Sequence, residues 1–233
     1  MPQDLLVCQL GRVPYRDALA LQLELREQVQ AGGRGGPEFL LLLEHPLTYT
    51  LGRRSTPADL PRGRGWYVAQ GADVVDVERG GKLTVHAPGQ LVGYPIVRVP
   101  RIPDYIRALE AALVDALAQE GVTARGRDHE GAQFTGAWVD DRKIASIGVH
   151  LSRGVSVHGF ALNVDNDLQP FDWAVACGLP DTRMTSLLRE TGRAGTMPCV
   201  RKRVAYAVCE ALGRRQRLIA AARLERLRTL AVR

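Results

Sequence analysis

The stretch Lys143-Ile-Ala-Ser-Ile-Gly-Val-His-Leu-Ser-Arg-Gly-Val-Ser-Val-His-Gly-Phe-Ala-Leu-Asn-Val164 contains two runs rich in β-branched and apolar residues around one short polar segment. The runs have the composition of β-strands, and Ser152-Arg153-Gly154 has that of a tight turn, so the sequence predicts a β-hairpin. Gly148 and Gly159 interrupt its two arms. A glycine within a strand marks a bulge or leaves room for a ligand to touch the backbone. The hairpin therefore brings antiparallel pairing into the fold.

A second chain reversal lies in Arg79-Gly-Gly-Lys-Leu-Thr-Val-His-Ala-Pro-Gly-Gln-Leu-Val-Gly-Tyr94. Its middle favours a short strand that presents Thr84 and His86 on one face, and Pro88-Gly89 turns the chain into the next strand. Gly80-Gly81 lets backbone approach a ligand without interference from a Cβ atom. These residues are consistent either with a binding site or with a glycine-rich hairpin in which His86 is an ordinary, satisfied polar side chain.

Helices are predicted between the strands. Residues 14–30, 103–120 and 198–212 each repeat apolar side chains at helical spacing, and each begins at a proline. Strands outnumber these helices, hairpins are frequent, and no Gly-x-Gly-x-x-Gly follows a strand, which disfavours a doubly wound parallel sheet. We therefore predict an α/β (α+β) fold: a single domain over residues 1–213, with a mixed β-sheet flanked by helices, and a basic helical extension over residues 214–233.

The net charge of +6 is concentrated at the C-terminal end of the chain. Residues 201–233 hold ten Arg or Lys side chains against Glu210 and Glu225, whereas the remainder of the chain is slightly acidic. The solvated face of an amphipathic helix explains such a segment best, attraction to an acidic partner comes second, and nucleic acid comes third. Since no helix-turn-helix, zinc-finger or RNA-binding pattern is present, we expect no nucleic-acid partner.

The sequence gives no sign of membrane association. The longest unbroken aliphatic and aromatic run, Phe39 to Leu43, is far too short to cross a bilayer. Asp4 stands where a secretory signal carries basic residues. We therefore expect a cytoplasmic protein with no membrane partner.

The four cysteines and five histidines are dispersed along the chain. No Cys-x-x-Cys pair occurs and no histidine stands at zinc-finger spacing, so we expect no disulfide framework and no metal site. A catalytic thiol at Cys177 would need an activating neighbour, because an unperturbed thiol with a pKa of about 8.5 is mostly protonated at neutral pH. Lys143, His86 and His158 are the candidates; the residues alone neither choose among them nor exclude a purely structural Cys177.

Four motifs follow one another in a particular order. They are Arg-Gly-Gly-x-x-Thr-x-His-x-x-Gly-Gln (79–90), Lys-Ile-Ala-Ser-Ile-Gly (143–148), His-Gly-Phe-Ala-Leu-Asn (158–163) and Ala-Cys-Gly (176–178). In type, order and separation these motifs resemble those of the octanoyltransferases of lipoate biosynthesis. The resemblance covers nearly all of residues 5–200 and includes Glu44-His45-Pro46 and Tyr49-Thr50-Leu51-Gly52-Arg53.

This resemblance implies a fold like that of the lipoate and biotin protein ligases and a lipoyl(octanoyl) transferase activity. Such an enzyme moves an octanoyl group from acyl carrier protein to a specific lysine on lipoyl domains of proteins such as 2-oxoacid dehydrogenase complexes. The resemblance makes Cys177 the acyl-accepting nucleophile and Lys143 its acid/base partner, and we expect no cofactor. The acyl pocket is then expected to be lined by Arg79, Gly80, Gly81, Lys82, Leu83, Thr84, Val85, His86, Ser146, Ile147, Gly148, Gly159, Phe160 and Ala161.

The sequence departs from the family pattern at two positions. Members commonly have Gly where Ala87 stands and Pro where Ala176 stands, and neither change removes a reacting atom. The alternative function is that of an ATP-dependent lipoate or biotin protein ligase, because Arg62-Gly63-Arg64-Gly65 faintly resembles the nucleotide loop of such an enzyme.

Two basic regions are candidates for binding a carrier protein, since carrier proteins are typically acidic. One comprises Arg53, Arg54, Arg62 and Arg64, and the other is the cluster over residues 201–217. The sequence does not choose between them.

Overall fold

The computed structural model describes residues 3–33, 35–175 and 182–230, without the side chains of residues 229 and 230. In chain order the strands are β1 (Asp4–Arg12), β2 (Glu38–Glu44), β3 (Thr48–Leu51), β4 (Asp73–Asp76), β5 (Leu83–His86), β6 (Gln90–Ile96), β7 (Arg125–Gly126), β8 (Gly136–Val139), β9 (Arg142–Ser152), β10 (Val155–Asn163) and β11 (Arg215–Ile219). The helices are α1 (Tyr15–Ala31), α2 (Arg64–Ala69), α3 (Ile102–Ala118), α4 (Gln169–Asp172), α5 (Leu187–Thr191), α6 (Met197–Ala211) and α7 (Ala221–Leu230). Short 3-10 turns span Pro57–Asp59 and Asp128–Glu130.

The strands form two sheets. The large sheet has eight strands in the order β11-β1-β2-β6-β10-β9-β8-β7, and the small sheet has three in the order β4-β3-β5. In the large sheet β1 runs parallel to β2 and β11, whereas all other neighbours pair antiparallel. The predicted single α/β domain with a mixed sheet flanked by helices is therefore confirmed.

The hairpin predicted at residues 143–164 is present as β9 and β10, with Ser152 paired to Val155. The two connecting residues, Arg153 and Gly154, have φ angles of 49° and 76°. Positive φ at both central residues is typical of the two-residue turns whose twist matches that of the flanking strands. The local sequence therefore sets the register of the two strands that form much of the site.

Helices cover both faces of the large sheet. On one face α3 and α6 bury apolar side chains such as Leu113 and Val204, and on the other α1 and α7 bury side chains such as Leu25 and Leu224. Each fully buried aliphatic side chain contributes about 1.5–3 kcal/mol to the free energy of folding. The stripe predicted for α1 is buried, and so are Val204 and Val208 of the stripe predicted for α6, whose third member, Leu212, is partly buried just after the helix. In α3 the predicted Ile106 is half-buried, and the neighbouring Tyr105 lies in the core instead. Among the helices of the described ranges, none is both long and apolar enough to span a bilayer.

The small sheet begins where the chain leaves the large one. The sequence predicts that residues 48–52 continue the strand that ends at Glu44, but β3 instead pairs parallel with β4 and antiparallel with β5. Pro46 has no backbone N–H and cannot extend the ladder of β2. The following segment contains a 3-10 turn and the short helix α2.

The segment 214–233, predicted to be helical, starts with a strand. β11 pairs parallel with β1, from Asp4 opposite Arg215 to Cys8 opposite Ile219. Gly213 has a φ of 63° and reverses the chain after α6. Helix α7 follows and packs against β1. The predicted helix is therefore wrong over 215–219 and confirmed over 221–230, while residue 213 as a domain limit stays a prediction.

Candidate active site

Two adjoining cavities lie between the small sheet and the β9–β10 hairpin. The first, which we call the histidine cavity, has a volume of about 30 Å³ and is lined by Tyr15, Arg79, Thr84, His86, Tyr94, Ser146, Gly148, His158, Gly159, Phe160 and Ala161. The second, which we call the lysine cavity, has a volume of about 30 Å³ and is lined by Arg54, Arg79, Gly80, Gly81, Lys82, Leu83, Thr84, Ala132, Gln133, Thr135, Lys143, Ser146 and Ile147. Arg79, Thr84 and Ser146 border both, so the cavities meet at these residues.

Small residues of the hairpin form one wall of the histidine cavity. Ser146 is paired with Ala161, and Gly148 is paired with Gly159. Because side chains alternate along a strand, these four residues share one face of the sheet. A Cβ atom at Gly159 would lie 2.2 Å from the carbonyl oxygen of Gly93 on the neighbouring strand, so only glycine fits there. The glycines predicted to mark a bulge or a ligand contact thus lie at close backbone approaches that also border the cavity.

The guanidinium group of Arg79 is fixed between the two cavities. Its side chain is 6% exposed and donates hydrogen bonds to the carbonyl and hydroxyl oxygens of Thr50, both at 2.7 Å, and to the carbonyl of Lys82 at 2.7 Å. The backbone N–H of Gly80 donates to the carbonyl of Val149 on β9 at 3.1 Å. The Arg-Gly-Gly motif therefore holds the small sheet against the hairpin and places a positive charge between the cavities.

Gly52 allows the end of β3 to pack closely against the Arg79 loop. A Cβ atom there would lie 2.6 Å from the carbonyl oxygen of Gly81 and 2.8 Å from Nη1 of Arg79. The backbone N–H groups of Arg53 and Arg54 donate to the carbonyls of Arg79 and Gly81, both at 3.1 Å. The Leu-Gly-Arg motif at the end of β3 is thus a packing partner of the Arg79 loop.

The Glu44-His45-Pro46 motif supports the opposite side of the site. The carboxylate of Glu44 accepts a hydrogen bond from the backbone N–H of Gly89 at 2.8 Å, which fixes the turn between β5 and β6. His45 Nδ1 donates to the carbonyl of Val13 at 2.7 Å, so its Nε2 accepts from the hydroxyl of Tyr94, also at 2.7 Å. These contacts fix the tautomer of His45.

Three neutral histidines lie in and behind the histidine cavity. Burial lowers the pKa of His45 to about 4 and that of His158 to about 3. Burial, reinforced by the neighbouring His45, holds the pKa of His86 well below its ordinary value. The rings of His45 and His86 are 5.3 Å apart, and that of Tyr15 lies within 5.6 Å of both. At neutral pH these histidines therefore add no charge to the cavity.

His158 has a strained backbone. Its φ of 61° is in the left-handed region, which a residue with a Cβ atom rarely occupies within a strand. Its backbone N–H donates to Oε1 of Gln22 at 2.7 Å, and its Nδ1 lies 3.4 Å from the hydroxyl of Tyr15. Helix α1 therefore holds the His158 ring at the cavity, and strain of this kind is concentrated at functional sites.

A chain of hydrogen bonds joins His86 to the backbone of Lys143. Nδ1 of His86 lies 2.8 Å from Oε1 of Gln90, and Nε2 of Gln90 donates to Oδ1 of Asn163 at 2.9 Å. The amide of Asn163 donates to the carbonyl of Thr185 at 3.0 Å, and the N–H of Thr185 donates to the carbonyl of Lys143 at 3.0 Å. Buried hydrogen bonds thus connect His86 of the histidine cavity to the backbone that carries Lys143 of the lysine cavity.

Lys143 is buried at the base of the lysine cavity, with 2% of the residue exposed. Its ammonium group donates to the carbonyl of Gln133 at 3.3 Å and lies 5.2 Å from the ring centroid of Trp138, within range of a cation–π contact. Its backbone N–H donates to the carbonyl of Arg183 at 2.9 Å. Strand β9 and residues 183–185 together fix the backbone of Lys143, which limits the positions that its side chain can adopt.

Most of the residues predicted to form the acyl site meet at these cavities. All of them line one or both cavities except Val85 and Cys177. Val85 alternates with Thr84 and His86 and therefore points away, into the apolar core of the small sheet. The side chains of Ile147 and Phe160 likewise belong to the core packed against α3 and α6, although both residues border a cavity. Cys177 lies outside the described residues.

Sequence reasoning missed several residues of the site. Gln90 and Asn163 stand within the motifs that indicated the family, but no role was predicted for them. Tyr15 and Gln133 are brought in from distant segments, and no local pattern signals them. Within the described ranges no group of three or more His, Cys, Asp or Glu side chains is placed to hold a metal ion.

Residues 14–209 match the model of the family described as the lipoyl protein ligase A/B catalytic domain. The octanoyltransferase of Mycobacterium tuberculosis (strain H37Rv) is 45% identical over 212 residues, which cover 88% of this chain and 86% of the relative. The octanoyltransferase of Mycolicibacterium smegmatis is 43% identical over 215 residues, which cover 88% of each chain.

Solved structures show the same architecture at low sequence identity. Lipoate-protein ligase A bound with ATP is similar with a TM-score of 0.74 and 16% identity, covering 98% of this chain and 93% of that one. A bipartite lipoate protein ligase from Thermoplasma acidophilum gives a TM-score of 0.72 at 15% identity, covering 99% of this chain and 92% of that one. These similarities show the fold, as the sequence predicted.

Proposed function

Because the chain belongs to the lipoyl protein ligase A/B catalytic domain family and is an octanoyltransferase, we propose that it moves octanoyl from acyl carrier protein to a lipoyl-domain lysine. In this proposal the acyl group passes through a thioester on Cys177, with Lys143 as acid and base. The observation that carries the proposal is the junction of the two cavities: the space walled by small residues meets the space that contains the buried amine of Lys143.

The first half-reaction forms the acyl-enzyme. The thiolate sulfur of Cys177 attacks the carbonyl carbon of the carrier thioester, so that a new C–S bond forms as the bond to the carrier sulfur breaks. The departing carrier thiolate takes the proton of the Lys143 ammonium group and leaves as a thiol. A hydrogen-bond donor to the developing oxyanion contributes about 3 kcal/mol to such a step.

The second half-reaction returns the proton. The uncharged amine of the acceptor lysine attacks the acyl carbon, its proton passes to Nζ of Lys143, and the C–S bond to Cys177 breaks. The cycle thus ends with a thiolate and an ammonium group, as it began. The burial of Lys143 and its contacts with the Gln133 carbonyl and the Trp138 ring support this role, since they fix the position of Nζ.

The octanoyl chain would occupy the histidine cavity. The β9–β10 wall presents only small side chains, so the cavity of about 30 Å³ can widen towards it as the chain enters, and the neutral histidines add no charge beside an apolar chain. Burying the chain at about 0.8 kcal/mol per methylene provides on the order of 5 kcal/mol. Neighbouring chain lengths differ by only about 1–3 kcal/mol, so we expect preference for octanoyl and not strict exclusion of other acyl groups.

An intact-mass experiment tests the proposal. The full-length protein is incubated with octanoyl carrier protein without ATP, and then with a lipoyl domain. We expect an octanoyl mass increase on the enzyme that maps to Cys177 and that disappears as the lipoyl domain gains the same mass. Modification that requires ATP and free octanoate would instead support the ligase that the fold also accommodates.

A further inference from the structure

The basic C-terminal segment is largely neutralised by the rest of the molecule. Arg214 pairs with Glu38 at 2.6 Å, and Arg215 and Arg217 pair with Asp4 at 2.6 and 3.2 Å. Arg201 pairs with Glu44 at 3.4 Å, Arg203 with Glu120, and Arg228 with Glu24 at 2.7 Å. The positive charges of the 201–217 cluster therefore stabilise the contacts of β11 and α6 with acidic side chains of the same molecule. A partner protein that bound this cluster would have to compete with those carboxylates for the arginines.

The segment after β3 differs in this respect. Arg53, Arg54 and Arg62 are exposed, and none of them forms an ion pair with a carboxylate of the described residues. Cζ of Arg62 lies 4.4 Å from the ring centroid of Trp66, which holds its charge at the surface. The nearby Arg64 is paired with Asp76 at 2.6 Å, and Glu78 is the remaining exposed acid of the adjoining groove.

This segment is also fixed relative to the site. The backbone N–H groups of Arg53 and Arg54 bind carbonyls of the Arg79 loop, and the N–H of Thr56 donates to the carboxylate of Asp59 at 2.7 Å. Arg54 borders the lysine cavity, and Arg53 borders a neighbouring groove of about 460 Å³. Cations at this rim can attract a partner to the point where its thioester would have to enter.

We propose that residues 52–62 are the docking surface for the acidic acyl carrier protein that delivers the octanoyl thioester. The inference rests on the proposed function, and its basis is charge complementarity. Arg54 borders the lysine cavity, and Arg53 and Arg62 belong to the same segment without a carboxylate partner in the part of the chain that the structure describes, whereas five of the six cations of the 201–217 cluster are paired. Electrostatic attraction of this kind mainly raises the rate of association and is screened by salt.

Charge reversal at two positions tests the surface. The double variant Arg53→Glu, Arg62→Glu is compared with Arg223→Glu, Arg226→Glu, which changes the charge equally at exposed arginines of α7 that have no carboxylate partner in the described ranges. Each protein is assayed with octanoyl carrier protein and with octanoyl-pantetheine, a donor without the protein. For the first variant we expect kcat/KM with the carrier to fall by about tenfold or more at low salt. We expect that loss to shrink at high salt, with octanoyl-pantetheine used as by wild type.

Other outcomes overturn the inference. An equal loss in the Arg223→Glu, Arg226→Glu variant would assign docking to general surface charge, and an equal loss with octanoyl-pantetheine would assign the effect to the site itself. A raised KM for the lipoyl domain, with that for the carrier unchanged, would make residues 52–62 the acceptor's surface. A salt-insensitive KM of wild type for the carrier refutes the surface without any variant. Failure of wild type to use either donor would instead refute the proposed function.

Discussion

The histidine cavity and the lysine cavity share three bordering residues but differ in charge. In the histidine cavity, burial keeps the imidazoles of His86 and His158 neutral. The lysine cavity instead gathers cationic side chains such as Arg54 and Lys82 around the amine of Lys143. The difference teaches that one site can offer an acyl chain a space in which Arg79 is the charged side chain of the lining and the histidines are neutral, and can offer a proton carrier to the acyl carbonyl on the other side of Arg79.

The same strand serves both cavities. β9 begins beside Lys143 and continues through Ser146 to Gly148, so the distance between the amine and the small-residue wall is set by the rise of one strand. Arg79 lies over the junction, where a Cβ atom at Gly148 would be 3.2 Å from its Cδ. A change in either cavity is therefore expected to have a distinct signature.

Replacing Lys143 with Arg is expected to have the largest effect. The guanidinium keeps the positive charge but does not release its proton, so transfer to a lipoyl domain is expected to fall by about 10²–10⁴-fold. Lowering the thiol pKa explains far less: a shift of ~2 units raises the thiolate fraction roughly 25-fold, and reduced nucleophilicity takes back roughly 8-fold. The measurement is the single-turnover rate from the octanoyl-enzyme.

Lys202→Arg is the matched control, because Lys202 is exposed on α6. It should transfer at the wild-type rate. Near-normal transfer by Lys143→Arg would refute the assignment of Lys143 as base. The positive charge at this position would then have only an electrostatic role.

The neutral histidines are expected to make stability depend on pH. In the unfolded chain a histidine binds a proton near pH 6.5, whereas the pKa of folded His45 is about 4 and that of His158 is about 3. Below about pH 6.5 the unfolded state therefore binds more protons. The contribution present above pH 6.5 is then lost progressively as pH falls towards the folded-state pKa values. We expect the free energy of unfolding to fall by about 1.4 kcal/mol for each such histidine between pH 7.5 and 5.5.

His158→Asn isolates one of these groups, since asparagine also adopts the left-handed conformation with φ near that of His158. Urea denaturation at pH 7.5 and 5.5 should show a fall in the free energy of unfolding that is smaller than in wild type by about the contribution of one histidine. His129→Gln, at a side chain that is 72% exposed, should leave it unchanged. An unaltered dependence in His158→Asn would mean that this ring is not held neutral by the fold.

The contrast between the cavities also marks what the sequence can reveal. Strand alternation and turn residues are local, so the hairpin at 143–164 and the shared face of Thr84 and His86 are predicted correctly. The same alternation, applied to every residue of the motif, places the side chains of Leu83 and Val85 together in the core of the small sheet, away from Thr84 and His86, although Leu83 still borders the lysine cavity. β11 was missed because its partner strand is more than 200 residues away in sequence, as the Arg215–Asp4 contact shows.

Non-local packing decides the remaining properties of the site. No sequence pattern within α1 predicts that the ring centroid of Tyr15 lies 5.6 Å from that of His86. No residue spacing predicts that burial will keep His45 neutral. The sequence alone does not choose between the two basic regions as candidates for binding a carrier protein, because it does not show whether a distant glutamate pairs with a given arginine. Arg214 and its partner Glu38 are an example.

Replacing Asn163 with Leu tests the connection between the cavities. The substitution removes the hydrogen bond to the Thr185 carbonyl and leaves buried polar groups without a partner, so stability is expected to fall by about 1–3 kcal/mol. If the link positions Lys143, kcat should fall while KM changes little. Asn163→Asp keeps an acceptor for Gln90, but it loses the donor to Thr185 and adds a buried carboxylate, so it should also reproduce the loss of kcat. A normal kcat for Asn163→Asp would confine Asn163 to stability.

Replacing Ala161 with Val is expected to have the smallest effect and to report on the histidine cavity alone. Ala161 is 4% exposed and borders that cavity beside Ser146, so added methyl groups there would occupy space otherwise available to the end of an acyl chain. One methylene is worth about 1–3 kcal/mol in such a pocket, and the ratio of kcat/KM for hexanoyl over octanoyl donors should rise about tenfold. Leu162→Ile changes the opposite face of β10 at constant volume and should leave this ratio as it is. Equal ratios in the two variants would place the acyl chain elsewhere, and the small-residue wall would then need another explanation.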